Sequence, residues 1–447
     1  MRTHKWHIVV LLMIFMTFSA ILAGCGSGTE TESTEAVATT AGGTVTTAGT
    51  ETTAGTETTA GTETTAASEP AKAVHIGGAY PLTGAWAEGG NNCKQGMELA
   101  IEDINAAGGI QALGGAKLEC SFKDTSSTDP AEAASVVKGL IGNDKVCAIV
   151  GAYVSALSLT ATTEAERGKV PMITQSYVDD LTTRGYKYLF QIPPVSSVLG
   201  KAAIEYLGAI TEASGGVGSI VFATNNDANS IKSIDSAKAQ AAAVGLTVTD
   251  TITYPVGISD AMPIITKIKD ANAEVIVMAG TLPDEILLIK GLRGVGITTP
   301  ILGLGGGGIL GTNFPASLGE YADGVMSISA WNWDLPYEGL LDVSKKYADR
   351  FGVPFMPQEA GESYIAVWAL KEAIEAAKSS DPEAIRGALA TMELTEGPGA
   401  MMVGNKLAFD ETGRNKYAVP LMIEYQGALP RTVWPADVQT AQPTLSK

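Results

Sequence analysis

Ser155 stands where a carboxylate could bind. It follows the apolar stretch Val146–Gly151, which is typical of a buried strand, and it begins a segment with helical spacing that continues to about Arg167. The first N–H groups of a helix lack partners within the helix, and the helix dipole favours an anion there. A serine at this position can equally serve as a helix cap, so the residues alone leave both roles open.

A second polar segment follows the next apolar stretch, Val170–Thr174. It contains Gln175, Ser176 and Tyr177. Ligand sites in open parallel sheets lie beyond the carboxyl ends of the strands, so this segment and Ser155 are expected to face the same crevice. Polar and aromatic side chains suit the rim of a binding site, although many surface loops have a similar composition.

Histidine is too scarce for most catalytic sets. Of three histidines, His4 and His7 lie in an N-terminal leader, and His75 lies in an apolar stretch typical of a strand. A Ser/His/Asp or Cys/His set would depend on His75 alone, and histidine-rich metal sites are excluded. Gly305–Gly308 is not followed by Lys-Ser/Thr, which favours a turn over a phosphate-binding loop. Acids are plentiful, so hydrolysis by paired carboxylates remains an alternative.

Strand-like and helix-like segments alternate through the chain after residue 73. The apolar periodicity predicts a helix that ends at Gly108-Gly109 and another that begins at Asp129-Pro130. Such alternation predicts an α/β fold with mainly parallel sheets in two Rossmann-like lobes. The predicted strands are His75–Tyr80, Lys117–Lys123, Val146–Gly151, Val170–Thr174, Ser219–Ala223, Leu246–Tyr254, Glu274–Ala279 and Pro300–Gly303.

The N-terminus has the pattern of an export signal. Arg2 and Lys5 precede the apolar run Ile8–Ile21, which is too short to span a bilayer comfortably. Leu-Ala-Gly-Cys at 22–25 resembles the bacterial lipoprotein signal, which predicts removal of residues 1–24 and a lipid on Cys25. We therefore expect an extracytoplasmic protein that is anchored to the membrane.

The segment that follows has the composition of a disordered spacer. Residues 25–72 are rich in Thr, Gly and Glu and contain three copies of Thr-Ala-Gly-Thr-Glu-Thr between 47 and 64. So few large apolar side chains cannot offset the entropy cost of folding. We interpret this segment as a linker between the anchor and the globular domain.

Net charge and cysteine content limit the classes of partner and metal site that the sequence allows. Loss of Arg2 and Lys5 with the leader lowers the formal net charge from -18 to -20, which argues against nucleic acid as a partner. Cys93, Cys120 and Cys147 form an odd set whose spacing matches no zinc motif. Export would permit one disulfide, but the sequence does not identify the pair. No metal or cofactor is expected.

Several motifs resemble type I periplasmic binding proteins of branched-chain amino acid ABC transporters. The resemblance covers about 74–435, and its most specific part is the first two motifs at their observed spacing. The matching stretches are Tyr80-Pro-Leu-Thr-Gly84, residues 96–110 (GMELAIEDINAAGGI), Asp129-Pro-Ala-Glu-Ala133, Ala148-Ile-Val-Gly151, Val170-Pro-Met-Ile173 and residues 181–188 (LTTRGYKY). Later stretches, such as Ile289–Gly296 and Phe409–Gly413, agree less closely.

The resemblance implies two hinged lobes that close around a small ligand. Residues 73–193 with 331–400 would form lobe one, residues 194–330 with 401–435 would form lobe two, and 436–447 would be a tail. By the same resemblance, Ser155 occupies the position of a carboxylate-binding serine.

Other ligand contacts are also implied by the resemblance. Ser176 and Tyr177 fall near a second carboxylate contact, although the loop is one residue short there. Trp86 lies where the family often places an aromatic side chain against the ligand, and Tyr153 is close enough in sequence to line the cleft. Gln175 belongs to the same rim.

The chain departs from the family pattern at the position that binds the ligand's ammonium group. Amino-acid binders of this family use an acid on a loop that corresponds here to Gly303-Leu304-Gly305-Gly306, which contains none. Thr281 and Leu282 replace aromatic contacts after the preceding strand. Asp227, Asp284 or Glu285 could take the place of the missing acid. Alternatively, the ligand is a carboxylate or amide that has no ammonium group.

We therefore expect a binding protein rather than an enzyme. It would capture an amino acid, amide or carboxylate and deliver it to the permease of an ABC transporter, without nucleic acid as a partner. A ligand sensor that is not coupled to transport would share all of these residues, and a surface hydrolase is a weaker alternative.

Overall fold

The computed structural model describes residues 71–126, 128–214, 217–305 and 308–444. The predicted leader, the predicted lipid-attachment residue Cys25 and nearly all of the predicted linker lie outside these residues. Residues 68–447 form one compact unit. No described helix is long and apolar enough to cross a membrane.

The first sheet has five parallel strands in the order β2-β1-β3-β4-β5. Three of these strands have three residues each, and all of those residues are buried because helices cover both faces. The strands are β1 (Val74–Tyr80), β2 (Leu118–Asp124), β3 (Ile149–Gly151), β4 (Met172–Thr174) and β5 (Leu189–Gln191).

The second sheet has seven strands in the order β14-β13-β10-β9-β8-β6-β7. Strands β6 to β10 are parallel, whereas β13 pairs antiparallel with both β10 and β14. Its strands are β6 (Ser219–Asn225), β7 (Thr247–Tyr254), β8 (Val275–Ala279), β9 (Ile301–Gly303), β10 (Met326–Ser329), β13 (Leu421–Gln426) and β14 (Leu429–Trp434). A small sheet pairs β11 (Glu393–Leu394) with β12 (Leu407–Ala408).

Eleven α-helices are described around these sheets. They are α1 (Ala87–Ala106), α2 (Pro130–Gly139), α3 (Ser155–Gly168), α4 (Ser196–Ser214), α5 (Ala228–Ala243), α6 (Met262–Ala271), α7 (Leu282–Gly294), α8 (Asn313–Leu318), α9 (Leu340–Phe351), α10 (Gln358–Ala377) and α11 (Pro382–Thr391). The predicted capping start at Asp129 is present, because its Oδ1 accepts a hydrogen bond of 2.8 Å from the N–H of Ala131.

Helices α1 and α10 pack closely against each other beside the first sheet. A Cβ atom at Gly96 of α1 would overlap the backbone carbonyl of Ala360 in α10, so a glycine is required at this crossing. The crossing fixes the first turns of α10 behind the carboxyl ends of the first-sheet strands.

The mainly parallel α/β architecture predicted from the sequence is confirmed. All eight predicted strands are present with ends shifted by a few residues. The boundaries of the two lobes stay a prediction.

Candidate functional site

Ser155 is the first residue of α3 rather than its cap. The N-cap is Val154, and no side chain among the described residues caps this helix. The hydroxyl of Ser155 instead accepts a hydrogen bond of 3.1 Å from the Ser176 hydroxyl. Both serines are buried. The helix start thus offers backbone N–H groups and a pair of hydroxyls, which together suit a carboxylate.

Three aromatic side chains lie beside this helix start. Trp86, at the N-cap of α1, packs edge-to-face on Tyr153 with ring centroids 6.2 Å apart. Tyr153 comes from the loop between β3 and α3, and Tyr177 from the loop after β4. The carboxyl ends of neighbouring parallel strands converge at one edge, which is why residues distant in sequence meet here.

A narrow cavity lies between these side chains and the second sheet. It is lined by Trp86, Tyr153, Val154, Ser155, Tyr177, Asp227 and Asn229. About 20 Å³ of it is open to the centre of a water-sized sphere, which is room for about one water molecule. A ligand the size of an amino acid therefore enters only if the walls move apart.

The second sheet contributes Asp227 and Asn229 to the cavity. Asp227 caps α5, since its Oδ1 accepts from the backbone N–H groups of Asn229 at 2.9 Å and Ser230 at 3.2 Å. Asn229 accepts a hydrogen bond of 2.7 Å from the Ser196 hydroxyl. An acid and an amide thus face the cavity that Ser155 lines.

Two buried glutamates of α10 lie behind the tyrosine walls. The Tyr153 hydroxyl donates to Glu359 Oε1 at 3.5 Å, and the Tyr177 hydroxyl donates to Glu362 at 3.2 and 3.3 Å. The amide of Gln358 also donates to the Tyr177 hydroxyl. Glu359 Oε2 has no hydrogen-bond partner in the described part of the chain. The hydroxyls are therefore held between the cavity and a carboxylate layer.

Burial shifts the ionisation of these acids. Desolvation, followed by the charge of Glu88, raises the pKa of Glu359 from 4.5 to about 7. Desolvation, followed by the charge of Glu359, raises the pKa of Glu362 well above 4.5. Two neighbouring carboxyl groups in an apolar setting do not both ionise readily at neutral pH.

The first-sheet and second-sheet sides also meet through a contact between α1 and α8. Glu88 on α1 accepts a hydrogen bond of 3.0 Å from the backbone N–H of Asn313, the first residue of α8. Helix α1 packs on strands of the first sheet, and α8 packs on α7 beside the second sheet. This contact joins the first-sheet and second-sheet sides.

Gln175 and Thr281 lie away from the cavity lining. Gln175 is fully buried and accepts a hydrogen bond of 3.4 Å from the Tyr80 hydroxyl. Thr281 donates to Asp284 Oδ2 at 2.8 Å. Trp86, Tyr153, Ser155 and Tyr177 therefore share one cavity, Ser176 bonds to Ser155, and the roles of all these residues as ligand contacts stay predictions.

The other two candidate acids are enclosed in the second-sheet side. Asp284 accepts from Thr281 and from the backbone N–H groups of Gly257 and Ile258, at 3.1 and 2.9 Å. Glu285 is packed against Gly308, whose Cβ, if present, would overlap Glu285 Oε2. Of the three acids considered as substitutes, Asp227 lines the cavity.

Sequence reasoning missed Glu359, Glu362 and Asn229. The two glutamates are three residues apart in the sequence, which places both on one face of α10 and was the available indication that they act together. Their proximity to Tyr153 and Tyr177 depends on a contact more than 180 residues apart in the chain. Local pattern therefore gave no reason to connect them with the cavity.

Metal and disulfide chemistry are not seen in the described residues. Cys93, Cys120 and Cys147 carry free thiols. No group of three or more His, Cys, Asp or Glu side chains within the described ranges is arranged to hold a metal ion. His75 lies in β1, where its Nε2 is 3.0 Å from the Ser121 hydroxyl.

The chain is similar to known binding proteins over most of its length. A family model described as periplasmic binding protein matches residues 73–422. Leu/Ile/Val-binding protein homolog 8 of Brucella melitensis is 25% identical over 387 residues, which are 84% of this chain and 93% of the relative. Homolog 7 of Brucella suis is 23% identical over 373 residues, or 81% and 91%.

Solved structures show the same fold. LivJ, a branched-chain amino acid transporter substrate-binding protein from Streptococcus pneumoniae in complex with isoleucine, has a TM-score of 0.72 and 26% identity, and the match covers 81% of this chain and 100% of LivJ. A solute-binding protein of an ABC transporter from R. palustris in complex with benzoate has a TM-score of 0.69 and 18% identity, covering 84% and 99%. The second likeness concerns the fold alone.

Proposed function

Because this chain belongs to the periplasmic binding protein family, we propose that it is a lipid-anchored solute receptor that delivers a small carboxylate ligand to an ABC transporter. The ligand would be an amino acid or a related carboxylate or amide. The observation that carries this proposal is the uncapped start of α3, where Ser155 lines an aromatic-walled cavity and is hydrogen-bonded to Ser176.

Family membership itself confirms several expectations. The family consists of solute-binding proteins, which confirms the prediction that the chain is not an enzyme. It also places the protein outside the cytoplasm. The predicted type I periplasmic binding fold is confirmed by the structural likeness.

The ligand's carboxylate would bind at Ser155. The first N–H groups of α3 and the two serine hydroxyls would donate to it in a setting largely shielded from water. Trp86, Tyr153 and Tyr177 would cover its apolar part. Asp227, on the opposite wall, would accept hydrogen bonds from a nitrogen of the ligand.

Ligand entry requires a hinge motion. With about 20 Å³ of open space, the cavity is too small for an amino acid in its present form. Opening would separate lobe one, residues 73–193 with 331–400, from lobe two, residues 194–330 with 401–435. The permease would then recognise the closed, loaded form.

The anchor is proposed from the sequence alone. A lipid on Cys25 would hold the protein at the membrane, and residues 26–72 would let the domain stand away from it. The Leu/Ile/Val-binding names of the curated relatives and the isoleucine bound to the pneumococcal protein favour an amino acid and a transport role.

The proposal is tested by titration calorimetry on the full-length protein in detergent with amino acids, their amides and carboxylates without an amino group. Ser155→Ala should weaken a bound carboxylate by about 1–3 kcal/mol, because one hydrogen bond to a charged group is lost. Ser344→Ala, a buried serine away from the cavity, is the matched control. If no compound of the three classes binds, the proposal fails, and an unchanged affinity in Ser155→Ala would remove Ser155 from the site.

A further inference from the structure

Each wall of the ligand cavity presents a hydrogen-bond donor that has no acceptor among the described residues. On the first-sheet side, the Ser155 hydroxyl accepts from Ser176 and donates its own hydrogen to no described residue. On the second-sheet side, the side-chain NH2 of Asn229 likewise donates to none. Ser155 is 5% exposed and Asn229 is 8% exposed, so bulk water has little access to either donor. A buried donor without an acceptor is costly, which indicates that a ligand supplies one on each side.

The orientation of the Asn229 amide follows from its contact with Ser196. The Ser196 hydroxyl lies 2.7 Å from Asn229 Oδ1 and 2.9 Å from the Tyr177 carbonyl, but it has a single hydrogen to donate. That carbonyl already accepts from the backbone N–H of Ser196 at 2.7 Å. The hydroxyl hydrogen therefore goes to Asn229 Oδ1, which turns the NH2 group of this lining residue away from Ser196. The NH2 nitrogen is not wholly enclosed by protein, in keeping with a position at the cavity.

The second-sheet part of the described cavity lining is polar. It consists of Asp227 and Asn229, without an apolar side chain. An alkyl group placed against this wall would shield the Asn229 NH2 from water and leave it unpaired. A site built to hydrogen-bond its ligand rejects an analogue without the matching group much more strongly than an apolar pocket does. The wall therefore favours a ligand that presents a hydrogen-bond acceptor to Asn229.

Asp227 decides the charge of that acceptor. Its Oδ1 accepts from the backbone N–H of Asn229 at 2.9 Å, so its carboxylate lies beside Asn229. A second ligand carboxylate at Asn229 would meet this negative charge in a space shielded from water, where like charges repel strongly. A neutral carbonyl meets no such repulsion. A carboxamide combines a neutral carbonyl with N–H groups, which are compatible with a neighbouring carboxylate.

We propose that Asn229 is a specificity-determining residue and that the ligand is a carboxylate with a neutral carboxamide at its other end. The carboxylate of the ligand accepts hydrogen bonds from Ser155 and the start of α3. Its amide carbonyl accepts from the NH2 of Asn229. This inference rests on the proposed function and adds the chemical class of the group that faces the second sheet.

The experiment is titration calorimetry on the full-length protein in detergent at neutral pH, with two sets of ligands of nearly equal shape. L-asparagine, L-leucine and L-aspartate differ in a terminal amide, alkyl or carboxylate group. Succinamate, 4-methylpentanoate and succinate repeat this comparison without the α-ammonium group. We expect each amide to bind at least about tenfold more tightly than the alkyl and carboxylate compounds of its set.

A variant then tests the role of Asn229. Asn229→Leu removes the donor and keeps the approximate shape of the side chain, so it should reduce the preference for amide over alkyl compounds by about tenfold without weakening the alkyl compounds. A purely structural defect would instead weaken all ligands together. Ser233→Ala, one turn further along α5, is the matched control and should change neither value, because Ser233 is buried and its hydroxyl has no described partner. If Asn229→Leu does not fold, the preference of the unmodified protein still decides.

The outcomes distinguish this inference from the proposed function. Alkyl compounds or dicarboxylates that bind as tightly as the amides would overturn the carboxamide and leave a carboxylate receptor intact. An amide preference that survives in Asn229→Leu would overturn the role of Asn229. If neither amide binds while another compound of the classes tested above does, this inference fails alone. If no compound binds, the proposed function fails with it.

Discussion

Glu359→Gln removes a buried ionisable group while keeping its shape, and we expect it to change how stability depends on pH. Glu359 is 1% exposed, and its Oε1 accepts a long hydrogen bond from Tyr153. A glutamine can accept the same bond through its amide oxygen. Its NH2 group replaces Oε2, which has no partner among the described residues, at a cost of about 1–3 kcal/mol that does not depend on pH.

The size of this effect on the free energy of unfolding follows from the raised pKa of Glu359. Burial first, then the charge of Glu88, moves the pKa of Glu359 from 4.5 to about 7. At 1.36 kcal/mol per pH unit, the difference corresponds to about 3 kcal/mol. Because the folded chain holds the proton more tightly, this quantity is a penalty on the folded state whenever the group is ionised.

The direction of the pKa shift defines the pH range over which the stability of the wild-type protein changes. Below pH 4.5 the glutamate is protonated in both the folded and the unfolded chain, so it adds no penalty. Between pH 4.5 and about 7 the unfolded chain releases the proton first, so the wild-type protein loses stability as pH rises. Above about 7 the full penalty is present. The free energy of unfolding of Glu359→Gln should therefore rise relative to wild type by about 3 kcal/mol across this window.

Urea unfolding followed by tryptophan fluorescence at several pH values measures this difference. The comparison is made without added ligand, and Glu372→Gln on the same helix serves as the control. A wild-type-minus-variant difference that stays constant from pH 4.5 to above 7 would refute the reasoning, since Glu359 would then titrate as it does in the unfolded chain.

Three further results are expected. Gly96→Ala should destabilise the protein by about 1–3 kcal/mol in thermal unfolding, because the new Cβ overlaps the Ala360 carbonyl. Gly139→Ala is the control and should be neutral or stabilising, because the space around Gly139 is open. Deletion of residues 26–72 should leave ligand affinity in solution unchanged, and loss of binding would mean that this segment belongs to the domain. Asp227→Asn should weaken ligands that carry an ammonium group by about tenfold in calorimetry. Helix α5 should stay folded, because asparagine is an equally good helix cap. Equal weakening of hexanoate, a carboxylate without an amino group, would contradict a direct contact between Asp227 and the ammonium group.

The sequence predicted the strands that are apolar and separated by clear helices. Val146–Gly151 and Glu274–Ala279 are examples, since burial on both faces leaves a continuous apolar run. Strands β5 and β10 to β14 were missed. Only three residues form β5, and β13 enters its sheet antiparallel after a long excursion, so no local alternation marks it.

The site was predictable where it depends on strand ends. Ser155, Ser176 and Tyr177 follow neighbouring parallel strands, so topology alone brings them together. The carboxylate layer was not predictable, because α10 meets the tyrosine walls through the close crossing at Gly96, a contact without a local signature. Asp227 was one of three acids that the sequence could not rank.

The hydrogen bond between Glu88 and the backbone of Asn313 has a consequence for how affinity is set. When a binding site is accessible in only a fraction of molecules, the measured dissociation constant equals the intrinsic constant divided by that fraction. A contact that favours closure without touching the ligand lowers the accessible fraction and so weakens apparent binding. Substitutions at Glu88 can therefore tune how much ligand the protein holds at a given concentration while every atom that recognises the ligand stays unchanged.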